Sequence, residues 1–138
     1  MQENDEGLGI IFHSGSYDRI SHGLNIDSVG ATLKKEVKLF FTFWSLKYMK
    51  KEEIRQNTYD SEAELHKDII KKNLKQGHMK SISTLIKRVK ELGINIYVCS
   101  NSMGILNITR DELIDEVDRS MGLATFLTEI KDYQILFI

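Results

Sequence analysis

Two kinds of apolar pattern alternate along this chain: short unbroken runs, and longer stretches in which apolar residues recur every three or four positions. The first kind predicts buried strands and the second amphipathic helices. Leu8 to His13 is a run of the first kind that stops at Ser14-Gly15-Ser16, a strand emptying into a loop. Tyr17, Ile20, Leu24 and Ala31 then share a helical stripe, in which Gly23 and Gly30 weaken helix propensity but permit close packing onto a sheet. Glu36 to Phe43 has aromatic and β-branched residues with no helical gap, which is strand chemistry. Trp44 to Lys51 predicts a short helix. Asp60 to Leu74 predicts another, with Leu65, Ile69 and Leu74 facing inward and lysines outward. This region is long for a strand-to-helix link, so it is expected to be a cover or an oligomer contact instead of sheet scaffold.

Met79, Ile82, Leu85, Ile86, Val89 and Leu92 keep helical spacing, and Gly93 stands where a left-handed C-terminal cap belongs. Ile94 to Cys99 follows as a strand that delivers Cys99 to its carboxyl end, with Ser100-Asn101-Ser102 as turn or helix-start residues. Thr109 and Glu112 have capping-box spacing, so a short helix should begin near Arg110. A brief strand around Val117, a helix from about Leu123 to Lys131 and a final strand Tyr133 to Ile138 complete the pattern. Alternation of strands with helices implies parallel pairing through right-handed crossovers, hence an α/β fold: a three-layer α/β/α sandwich with a parallel sheet of about five strands. Residues 1–138 read as one domain, with 1–6 as a flexible lead-in. Ligands of such sheets gather at the strand carboxyl ends, where His13 to Ser16, Thr42 to Ser45 and Cys99 to Met103 all arrive.

Composition narrows the function classes. A net charge of −1 lacks the basic excess that phosphate-backbone binding needs, which argues against nucleic acid. No secretory or membrane-spanning apolar run is present, and one cysteine cannot form an intramolecular disulfide, so a reducing cytoplasm is the expected home. Charge is uneven locally: Lys67 to Lys90 holds eight Lys/Arg against one Asp, and Thr109 to Asp132 holds three basic against seven acidic residues. Two solvated faces explain this; docking between subunits or onto a partner is the sharper alternative.

The candidate chemistry centres on Cys99. A cysteine in an apolar strand is usually a small core residue, but at a strand end it meets backbone N–H groups of the following turn, which stabilise a thiolate. Ser100, Asn101 and Ser102 offer hydroxyl and amide donors to a bound sulfur, against a plain capping role. His13, the one histidine near the expected cleft, is a candidate proton donor or thiolate partner. The loop His13-Ser14-Gly15-Ser16 could present N–H groups to an anion, although it has neither the glycine spacing nor the lysine of a Walker loop. Gly7 and Gly9 precede the strand, the wrong side for a dinucleotide fingerprint, so no cofactor is expected. The four histidines have no ligand spacing, which argues against a metal. Trp44, with Phe41 and Phe43, is a candidate pocket wall. No Cys-x-x-Cys is present, so dithiol chemistry is excluded within one chain.

Four segments in fixed order carry a family resemblance: the first strand ending in His13-Ser14-Gly15, then Glu36-Val-Lys-Leu-Phe-Phe-Thr-Phe-Trp44, Cys99-Ser-Asn-Ser-Met103 with Ile108, and Gly122-Leu-Ala-Thr-Phe-Leu127. From Ile10 to about Leu127 the chain resembles the DsrE/DsrF-like proteins, specifically the solitary archaeal and bacterial members labelled peroxiredoxin-like. The resemblance implies a DsrEFH-like fold with strand order 4-3-2-1-5 and assembly into trimers or hexamers. It also implies sulfur relay through one cysteine at the position of Cys99, with TusA-like carriers, rhodanese-like proteins or enzymes of dissimilatory sulfur oxidation as partners. Where relatives often carry an acidic residue after the Ser-Met pair, this chain has Gly104.

The expectation is therefore a sulfur-relay protein, a carrier or sulfurtransferase, that holds sulfane sulfur on Cys99 as a persulfide or thiosulfonate. His13, Ser14, Gly15, Trp44, Ser100, Asn101, Ser102 and Met103 are expected to line its site. The rival expectation is a non-catalytic oligomeric module that binds a small anion or a protein partner, with Cys99 buried and inert.

Overall fold

The structure, a computed structural model, describes residues 7–138; the expected flexible lead-in, 1–6, lies outside the described residues. Five parallel strands, β1 (Leu8–Phe12), β2 (Val37–Phe41), β3 (Asn95–Cys99), β4 (Arg119–Met121) and β5 (Gln134–Phe137), form one sheet in the order β4-β3-β2-β1-β5. The alternation is that expected from the sequence pattern, and the strand order is that implied by the family resemblance.

Alternate residues of each strand enter two unequal cores. Leu8, Ile10, Phe12, Val37, Leu39, Phe41, Ile96 and Val98 point to the larger core. There they meet α1 (Tyr17–Thr32), α3 (Lys67–Gln76) and α4 (Ile82–Glu91). Phe12 and Phe41 stack at 4.5 Å between ring centroids within it. Close approach of α1 depends on Gly23, where an added Cβ would stand 2.3 Å from the Phe12 ring. Gly93, at φ 79°, ends α4 in the left-handed region that its sequence position predicts. The opposite face carries Ile11, Phe40, Tyr97, Cys99 and Met121, covered by α6 (Leu123–Glu129) through Phe126 and by Ile130 just beyond it. One helix of seven residues is a thin lid for a five-stranded sheet. Consequently Ile135 and Phe137 of edge strand β5 remain 45% and 70% exposed.

Five expectations need correction. Gly9, expected before the first strand, lies within β1 and pairs with Lys38 of β2. The stretch Asp60 to Leu74 is not one helix: it breaks at His66 into α2 (Glu62–Leu65) and α3. The break rephases the stripe, so that Ala63 and Ile70 are buried while Leu65 and Ile69, expected inside, are exposed. The turn after β2 is a 3₁₀ helix, Phe43–Met49, beginning one residue before the expected start. The brief strand lies at Arg119–Met121 and not around Val117, because Val117 N–H closes a turn on the Ile114 carbonyl and β3 is first met at Asp118. Met79 precedes α4, whose N-cap is Ser81. The capping box at Thr109 and Glu112 is present and opens a 3₁₀ turn, Arg110–Glu112.

Candidate functional site

Parallel strands of matched length end together, and here the ends of β1, β2 and β3 form one rim. Register pairs Phe41 with Val98, so the next residues, Thr42 and Cys99, lie side by side. Cys99 is both the last residue of β3 and the N-cap of α5 (Ser100–Ile105). Its Sγ accepts a hydrogen bond from Ser102 N–H at 3.4 Å, in the place a serine or aspartate oxygen occupies in an ordinary cap. Ser102 Oγ in turn lies 2.7 Å from Thr42 Oγ1. The cysteine is 5% exposed and Ser102 1%. Burial pushes the Cys99 thiol up, but it is outweighed by hydrogen bonds from the Ser102 hydroxyl and N–H, then from the Thr42 hydroxyl and Asn101 N–H. The net shift is downward, towards the thiolate.

The other residues expected at the site divide into two groups. Ser102 and the backbone of Asn101 are brought to the sulfur. The side chains of Ser100 and Asn101 are exposed on the surface of α5, and Met103 turns away into the larger core. Gly15 and Trp44 meet instead beside a cavity of about 410 Å³, which Phe43, Lys47 and Leu106 also line. Trp44 is 56% exposed there, and Gly15 is held by its carbonyl, which accepts from the buried Tyr48 hydroxyl at 2.7 Å. Phe41, the third expected wall residue, is wholly inside the core. Ser14 Oγ accepts from Ser16 N–H at 2.9 Å, so it closes its own loop. His13 lies between Phe43 and Phe137, at 5.1 and 5.7 Å between ring centroids, and no contact joins it to Cys99.

Thr42 is the site residue that sequence reasoning left out. It was legible only as a member of the strand-end segment Thr42 to Ser45; placing it beside the sulfur requires the register of two strands separated by more than fifty residues. It also links the two halves of the rim, because Phe43 and Trp44 follow it directly. Phe43 takes φ 50°, a left-handed backbone that an aromatic residue rarely adopts, and this turns the chain from β2 across the strand ends. Buried Ser45 fastens that turn by donating to the Phe12 carbonyl at 2.7 Å while accepting from Thr42 N–H at 3.2 Å. Among the described residues, no group of three or more His, Cys, Asp or Glu side chains is placed to hold a metal ion. No described helix is long and apolar enough to cross a membrane.

A parallel sheet in the order 4-3-2-1-5 with helices on both faces defines the class of fold as α/β, and the family comparison agrees. Residues 4–64 and 59–138 match the DsrE/DsrF/DrsH-like family, and the chain belongs to it. Among individual relatives it is 24% identical, over the whole of both chains, to the uncharacterized protein YrkE of Bacillus subtilis. Two solved structures share the fold. One is MTH1491 of Methanobacterium thermoautotrophicum, a protein of unknown function, with TM-score 0.66, 12% identity, and coverage of 97% of this chain and 100% of that one. The other is YchN of Escherichia coli, with TM-score 0.62, 10% identity, and coverage of 96% and 99%.

Proposed function

We propose that this protein is a sulfur-relay protein that accepts sulfane sulfur on Cys99 and passes it to a partner thiol. The observation that carries the reading is the cap geometry: a strand-end thiol that receives the Ser102 N–H and whose pKa falls even though burial opposes it. Family membership supports it, since the family is associated in general with sulfur relay. The Cys99 thiolate attacks the outer sulfur of a donor persulfide, the donor thiolate leaves, and Cys99 holds the sulfur as its own persulfide. An acceptor thiolate then attacks that outer sulfur and Cys99 thiolate departs. Neither exchange changes the total oxidation state, so one cysteine suffices where a redox cycle would need two. The donors on Cys99 Sγ stabilise the thiolate both as it attacks and as it departs. The partners this chemistry calls for are small sulfur carriers of the TusA type or rhodanese-like proteins, and the exposed Trp44 beside the rim gives them an aromatic contact.

Self-association belongs to the same reading. Ile135 and Phe137 on edge strand β5, and Leu123 and Leu127 on α6, are 40% exposed or more on the thinly covered side of the sheet, and a second copy of this chain is their proposed cover.

Burial favours a second reading: at 5% exposure, within an apolar cluster, Cys99 is a core side chain in a module that binds without transferring sulfur. Timed alkylation of the native protein separates the two. Relay predicts that Cys99 reacts while the fold is intact and that its rate rises with pH at a lower midpoint than an ordinary thiol. A cysteine that reacts only after unfolding favours the inert module.

A further inference from the structure

The basic stretch Lys67 to Lys90 divides in space into a neutralised part and an unneutralised one. At its C-terminal end Lys90 pairs with Asp118, and Lys87 shares a groove with Asp115 and Glu116. The acidic segment thus answers the basic one within a single chain. In the earlier part Lys67 pairs with Glu64, but the lysines that follow it lack such an answer. Lys71 and Lys75, one turn apart on α3, and Lys80, just before α4, line one hollow of about 660 Å³, and no acidic side chain among the described residues lines it. Among the described residues none of these three lysines forms an ion pair. Like charges four residues apart on a helix repel, so the arrangement lacks its counter-charge.

Three further observations indicate what that counter-charge is. Ser81, which also lines the hollow, caps the ten-residue helix α4, whose first turn holds no acidic residue, so the helix dipole adds to the positive potential. Asn57 accepts from the Tyr17 hydroxyl at 3.1 Å through Oδ1, leaving its amide N–H groups without an acceptor among the described residues. Half-buried Tyr59, Leu74 and Met79 give the hollow an apolar wall, and Lys71 Nζ sits 5.8 Å from the Tyr59 ring centroid.

We propose that this hollow binds a diphosphate group, free or esterified, with Lys71, Lys75, Lys80 and the Asn57 amide on its oxygens. Ammonium and amide donors from three segments lining one hollow suit an anion with oxygens spread over two phosphorus atoms. The proposal does not involve Cys99, so it stands or falls independently of sulfur relay.

Titration calorimetry of the full chain at low ionic strength, with inorganic pyrophosphate and with ADP as probes, tests it. The expected result is saturable one-to-one binding that weakens with added salt, and a loss of about ten-fold or more in affinity in the Lys71→Ala/Lys75→Ala/Lys80→Ala variant. Tighter binding of ADP identifies the esterified form, and equal binding the free one. The Lys87→Ala variant should bind as the wild type does. A Lys71→Arg/Lys75→Arg variant, which keeps the charge, should retain binding, and a loss there as large as in the alanine variant overturns the assignment to charge. Absence of saturable binding for both probes at millimolar concentration overturns the proposal, as does unchanged affinity in the triple variant or binding of hexaglutamate in preference to both phosphates.

Discussion

At the scale of single residues the decisive balance is the one at Cys99, where a buried thiol is nonetheless driven towards its anion. Ser102 contributes through both its hydroxyl and its N–H, and Thr42 braces that hydroxyl from the neighbouring strand. Replacing Ser102 by Ala removes the hydroxyl and leaves the N–H, so the thiol pKa should rise, and Thr42→Val should raise it by less. The pH dependence of thiolate absorbance, or of alkylation rate, reads both; an unshifted midpoint in Ser102→Ala would contradict the proposed source of activation. A second buried acid behaves oppositely. Asp27 on α1 is fully buried, its Oδ2 finds no hydrogen-bond partner among the described residues, and burial pushes its carboxyl up to about 8 despite the Ser28 hydroxyl and the Arg88 charge. Its folded pKa lies above the unfolded value of 3.8, so the fold binds the proton more tightly than the unfolded chain does. The stability this adds is complete below that unfolded value and is lost as pH rises towards 8, by up to about 1.4 kcal/mol for each unit. Thermal melts of Asp27→Asn across this range should be flatter than those of the wild type; parallel curves would show that Asp27 ionises freely in the fold.

Among the elements, α1 is the one whose placement is most tightly fixed by side-chain size. An alanine at Gly23 would collide with the Phe12 ring, itself stacked on Phe41, so Gly23→Ala should cost about 1–3 kcal/mol and lower the melting temperature. Trp44→Ala, by contrast, removes an exposed ring and should leave stability nearly unchanged while weakening partner binding in a pull-down or titration with a sulfur-carrier protein. How much of this was legible in the sequence differs by element for physical reasons. α4 was legible because Ile82, Leu85, Ile86 and Val89 all face one core. The segment around Leu65 and Ile69 was not, because lysines surround both a helix that breaks and one that does not. β4 pairs over only three residues, beside Asp118, whose carboxylate takes the Ile96 N–H at 2.7 Å; a strand held partly by a side chain has no apolar signature. The strand end bearing Cys99 was readable, and its partner Thr42 was not, because register is a long-range property.

The whole molecule has one well-covered face and one thin one, and the thin face carries both the Cys99 cluster and the exposed apolar residues of β5 and α6. If a second copy covers them, light scattering should give a mass above that of the 15.9 kDa chain. Phe137→Asp should shift the population towards the monomer without lowering the content of secondary structure. A wild type that is monomeric at working concentration would contradict the assembly.

The most direct measurement is the intact mass of the folded protein after exposure to glutathione persulfide or polysulfide and removal of excess reagent. Relay predicts a gain of one sulfur atom on the wild type, released by an acceptor thiol and absent from Cys99→Ser. A wild type that gains nothing beyond what Cys99→Ser gains would contradict the assignment of Cys99 as a sulfur carrier.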